Sequence, residues 1–136
     1  MENAVWIVIG ILSVFLAMGI LLTMVENNRE QTKIKTNENA VKDFAQWCNY
    51  VCNSEVETRL SKEIEISSGA VVSGYEKAVC IDYKSFHNCE YCKCDVNALD
   101  LNLDNPDIIK AYDTHTFRCL FEKTDVGVVS IDCKGT

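Results

Sequence analysis

The residues best equipped for chemistry are eight cysteines: Cys48, Cys52, Cys80, Cys89, Cys92, Cys94, Cys119 and Cys133. Three form the run Cys89-x-x-Cys92-x-Cys94, with His87 two positions ahead. CxxC spacing suits tetrahedral Zn²⁺ and also redox-active dithiols. Cys48-x-x-x-Cys52 is a further pair, four apart on one helix face. A zinc site needs reduced thiolates and a closed tetrahedron, and the paired CxxC…CxxC knuckle is absent. An even cysteine count in a small domain points instead to disulfides made in an oxidising compartment. In that reading Cys48 and Cys52 pin a helix to the sheet and the Cys89–Cys94 loop. Which cysteines pair stays open, since eight allow about 105 pairings.

Other reactive combinations are sparse. A thioredoxin-like dithiol sits at a helix N-terminus after a strand, whereas Cys89 and Cys92 fall in a polar stretch that reads as loop. His115 has Asp113 and Thr114 beside it, but a lone histidine at a strand start reads as a surface residue. No G-x-S-x-G, H-E-x-x-H, P-loop or Gly-rich nucleotide fingerprint occurs. The acids of LDLNLDNPD lack EF-hand spacing and its final Glu, so a solvated loop is expected there. No N-x-[ST] sequon is present. The expectation is a non-enzyme with no catalytic residues, no cofactor and no resident metal.

The elements that must position these cysteines fall into two contrasting parts. Ala4 to Val25 carries no charge and, as a helix, spans roughly 33 Å, enough for a bilayer's hydrocarbon core. All 13 basic residues lie beyond Val25 with 19 of the 20 acids, for a net charge of −6 on the soluble part. Without basic clusters, that part argues against nucleic acid or anionic headgroups as partners. A secretory signal peptide has a basic stub, a shorter apolar run and a small-residue cleavage site, none of which this segment shows. A single-pass anchor fits the length, but Arg29, Lys33 and Lys35 would place the following domain in the cytoplasm. The cysteines favour the outside. Cleavage of a basic leader just before Met1 would reconcile the two.

Helix is expected to run from about Ala4 to about Cys52. Residues 26–40 are polar without Pro or Gly. Ala40, Val41, Phe44, Trp47, Cys48, Val51 and Cys52 then share one face, opposite Lys42, Asp43, Gln46 and Asn49. Beyond Asn53 the pattern turns to strands: KEIEIS with Ile64 and Ile66 inward, AVVSG, KAVCIDY, TFRCLFE and VGVVSIDC. Phe117 to Cys133 reads as a hairpin turning at Thr124 to Gly127. His87 to Lys110 reads as mostly loop, with a short helix after Pro106. The domains expected are 1–26, a filament-core or transmembrane helix; 27–53, its amphipathic continuation; and 54–136, a cysteine-rich β head. Within the first, Ser13 and Ala17 make a small-xxx-small pair, and Gly10 and Gly19 thin the helix where another could approach. Trp6 suits an interface or a gap between packed helices.

ENAVWIVIGILSVFLAMGILLTMV, its amphipathic continuation and a strand-rich, cysteine-stapled head resemble a type IV pilin of the archaeal kind, in the class III signal-peptide and archaellin–pilin superfamily. The resemblance implies an α+β fold with a long N-terminal helix on a small disulfide-stapled antiparallel sheet. It implies a mature start at Met1 or Glu2 after prepilin peptidase cleavage. It further implies membrane insertion before assembly, pilus assembly machinery as a partner, and a homopolymer built through the N-terminal helices. The product would be an extracellular surface filament for adhesion, attachment or motility. Glu2 resembles the acid near the start of many pilin helices and is expected to help docking, with Trp6, Gly10, Ser13, Ala17 and Gly19 as further assembly residues. Two other classes remain: a non-polymerising anchored ectodomain, and a zinc-binding anchored domain.

Overall fold

The computed structural model describes residues 1–105 and 113–135. Helix α1 runs unbroken over Glu2–Cys52. By residue contacts the chain divides into two units, Met1–Thr32 and Lys33–Thr136. The first is helix alone. The second, the head, holds the rest of α1 and, among the described residues, eight strands.

The head strands are β1 (Arg59–Ser67), β2 (Val71–Tyr75), β3 (Ala78–Tyr83), β4 (Phe86–Tyr91), β5 (Asp95–Asn97), β6 (Asp100–Asn102), β7 (Thr114–Asp125) and β8 (Val128–Gly135). They form two four-stranded sheets, ordered β1-β7-β8-β5 and β4-β3-β2-β6. The fold is the expected α+β, pilin-like layout, with one addition: β5 pairs parallel to β8. Tight two-residue turns join β2 to β3 and β3 to β4, with Glu76 and Lys84 at positive φ.

The amphipathic face of α1 supplies five of the 21 buried core residues among those described. Ala40, Val41, Phe44, Cys48 and Val51 are buried, with Trp47 and Cys52 partly so. Ile64, Ile66, Val72, Val79, Ile81, Phe121, Val129 and Ile131 meet them from the two sheets. Alternation along each strand puts these residues inward, as Ile64 and Ile66 were expected to be. Phe44 and Phe121 have ring centroids 6.1 Å apart. Gly74 is required by close packing: a Cβ there would lie 2.6 Å from Val96 Cγ1.

The hairpin of β7 and β8 turns at Val126 and Gly127, as the sequence suggests. The loop expected from His87 onward is corrected: Phe86–Tyr91 is a strand paired with β3, and β5 and β6 are short strands. Strand β4 lies at a sheet edge and mixes polar and apolar side chains on both faces, so no apolar alternation marks it. The helix expected after Pro106 lies outside the described residues.

Candidate functional site

Every cysteine is in a disulfide: Cys48–Cys92, Cys52–Cys94, Cys80–Cys89 and Cys119–Cys133. The first two join successive turns of α1 to the segment between β4 and β5, as expected of Cys48 and Cys52. The other two link residues directly opposite each other in β3–β4 and β7–β8. His87, Cys80 and Cys89 stand close enough for a metal cluster. However, Cys80 and Cys89 are bonded to each other, and His87 Nδ1 faces Asp82. With no thiolate left, the zinc reading loses its ligands. His115 lies in β7, paired with Ile66.

The candidate assembly residues all fall on the N-terminal unit of α1, where every side chain from Met1 to Val25 is exposed. The helix is long and apolar enough there to cross a membrane. Spacings of four, four, three and four residues put Glu2, Trp6, Gly10, Ser13 and Ala17 along one stripe. Gly19 falls on the opposite side of the helix. It borders a shallow apolar groove of about 580 Å³ with Phe15, Leu16, Ile20, Thr23 and Met24, of which Ile20 and Met24 continue the stripe beyond Ala17. A Cβ on Gly10 or Gly19 would touch nothing within 4 Å. Glu2 occupies the first turn, where a carboxylate is favoured by the helix dipole.

Between Ala4 and Val25 only Ser13 and Thr23 are polar. Ser13 Oγ donates to the Ile9 carbonyl at 2.8 Å, and Thr23 Oγ1 donates to the Gly19 carbonyl at 2.9 Å. Both hydroxyls are therefore satisfied inside the helix and add no unpaired hydroxyl donor when it enters an apolar medium.

Together the two units define a protein with an apolar helical segment joined to a disulfide-closed head, suited by its bridges to an oxidising, extracytoplasmic environment. Compared with known proteins, the chain matches no family model, no curated protein and no solved structure.

Proposed function

We propose that the chain is a structural subunit of an archaeal type IV pilus-like extracellular filament, polymerising through its N-terminal helix and serving adhesion or motility. One observation carries this: an apolar helical surface over residues 4–25, exposed on all sides, whose two hydroxyls are internally bonded. Water exposure of that surface is strongly unfavourable, and so small a head has no room to bury it. Lipid serves before assembly; packing against copies of the same helix serves after it.

Two distinct features along α1 favour copies over lipid alone. The small residues Gly10, Ser13 and Ala17 and the apolar groove at Gly19 further along the helix make two different surfaces. Two different surfaces complementary to each other give a heterologous contact, which propagates as an open helix wherever its rotation does not close into a ring. A prepilin peptidase and the pilus assembly machinery are the partners this reading requires.

The test is electron microscopy of material sheared from the surface of cells producing the chain, with identification by mass spectrometry. Filaments containing the chain support the reading. Chain found only as monomer in the membrane fraction overturns it in favour of an anchored ectodomain.

A further inference from the structure

The outer face of the β4-β3-β2 sheet is laid out in three cross-strand rows. Val71, Asp82 and His87 make one, Ser73, Cys80 and Cys89 the next, and Tyr75, Ala78 and Tyr91 the last. In that last row Tyr75 and Tyr91 are 72% and 67% exposed, a large apolar area left in water with small Ala78 between them. Neighbouring strands lie about 4.8 Å apart, so the two tyrosine backbones stand about 10 Å from each other. That spacing leaves room for one flat ring above Ala78. The cleft measures about 490 Å³ and is completed by Glu76, Lys77 and Asp95. Its size falls within the range of small-ligand sites, about 300–1,000 Å³.

We infer that this cleft is a carbohydrate-binding site that seats a neutral hexopyranose between Tyr75 and Tyr91. A sugar ring offers apolar C–H faces, slightly positive, to the negative faces of aromatic rings. Its hydroxyls need both acceptors and donors, which the Glu76 and Asp95 carboxylates and the Lys77 ammonium provide. The rim also discriminates. Two carboxylates repel phosphorylated or carboxylated ligands, and Lys77 counts against a quaternary ammonium, the other class aromatic walls attract.

The surrounding structure holds the cleft in its open geometry. Tyr91 lies between two disulfides: Cys89 is bonded to Cys80 across the sheet, and Cys92 to Cys48 on α1. Asn49 Nδ2 donates to the Tyr91 carbonyl at 3.2 Å, and Asn49 Oδ1 accepts from Lys93 N at 2.8 Å. On the other side, Val96 N donates to the Glu76 carbonyl at 2.6 Å. Such fixing lowers the entropy lost when a ligand binds. Glu76 also holds positive φ, where glycine would be less strained, so its side chain is kept at some cost in stability.

The site belongs to the head and does not depend on filament assembly, so it is tested on unassembled full-length chain. A polyoxyethylene detergent is suitable because it carries neither sugar nor ammonium. Fluorotyrosine-labelled protein is titrated with cellotetraose, maltotetraose and mannotetraose, and separately with tetramethylammonium. Saturable shifts of the Tyr75 and Tyr91 signals with at least one tetrasaccharide are expected. Tyr75→Ala and Tyr91→Ala each weaken binding by about tenfold or more. Ala78→Leu, which plugs the floor but keeps both rings, abolishes it, and the melting temperature of all three variants stays near wild type. Glu76→Gly melts higher yet binds more weakly. Silence with all three sugars, equal binding by Ala78→Leu, or a response to tetramethylammonium alone overturns the inference.

Discussion

Lys123, from β7, donates its Nζ to the carbonyl of Cys52, the last residue of α1, at 2.8 Å, and to that of Ser54 at 2.7 Å. The last turn of α1 has no basic residue of its own, so its unpaired carbonyls receive their cation from a strand distant in sequence. Lys123→Met is expected to destabilise the head by about 2 kcal/mol, because it removes two charge-assisted bonds at a partly buried site. Urea denaturation of the detergent-solubilised chain measures it, and a change within error of wild type would refute the capping role.

Asn37 is fully buried on the apolar face of α1, where it closes a ring of hydrogen bonds with Ser67. Its Nδ2 donates to Ser67 Oγ at 2.7 Å, and its Oδ1 accepts from Ser67 N at 3.1 Å and from Ser67 Oγ at 3.0 Å. Asn37→Ala strands a buried backbone donor and leaves a gap, for a cost of about 3 kcal/mol. The same substitution at exposed Asn39 is expected to leave the urea midpoint nearly unchanged.

The bridges Cys48–Cys92 and Cys52–Cys94 close loops of almost the same length, with separations of 44 and 42 residues. Either alone restricts the unfolded chain nearly as much as both. Replacing one pair with serines therefore costs far less than the about 4 kcal/mol expected when both are removed. Single and double removals, compared by thermal melting, check this. Equal, additive losses would sink the redundancy argument.

A side chain at Gly19 would touch nothing within its own chain, which separates folding from assembly. Gly19→Leu fills the groove beside Phe15 and Ile20, is expected to leave the melting of the head unchanged, and blocks filament formation. Filaments of normal yield from this variant would remove Gly19 from the contact. Glu2→Gln is likewise expected to slow assembly without altering the head.

Glu38 and Lys42 form an exposed ion pair one helical turn apart, 2.8 Å between Nζ and Oε1. Hydrogen bonding and charge attraction to Lys42 hold the Glu38 carboxyl below its ordinary pKa, and the Lys42 ammonium is correspondingly raised. A depressed carboxylate contributes stability above its unfolded pKa and loses it as pH falls through the folded value. The contribution is therefore present at neutral pH, and only its loss is confined to acid. NMR titration should show Glu38 returning toward ordinary glutamate in Lys42→Met; an unmoved titration would show that another group sets the shift.

The long helix and its core face are legible in sequence because Val41, Phe44, Cys48 and Val51 repeat with helical period. Ile64 and Ile66 announce β1 by alternation in the same way. Asn37 escapes that pattern because a polar residue interrupts an apolar stripe, and only Ser67, thirty positions on, explains it. Strand β4 is hidden for the reason already given, and with it the register that sets Tyr91 beside Ala78. Disulfide partners depend on that same register, so Cys80 and Cys89 cannot be matched before β3 and β4 are paired. The stripe from Glu2 to Ala17 on α1 is readable by spacing, whereas the internal bonding of Ser13 and Thr23 is a fact of side-chain geometry.

The twin bridges at Cys48 and Cys52 also determine how the head carries tension. A pull on a ligand held at Tyr91 crosses one peptide link to Cys92 and then passes through sulfur into α1. That route bypasses the hydrogen bonds of both sheets. Cys94 offers a parallel path into Cys52, one turn further along. Under sustained drag the strands can fray and re-form while the grip stays covalently tied to the helix, so the force the attachment survives is set by the ligand's own release rather than by unfolding of the head.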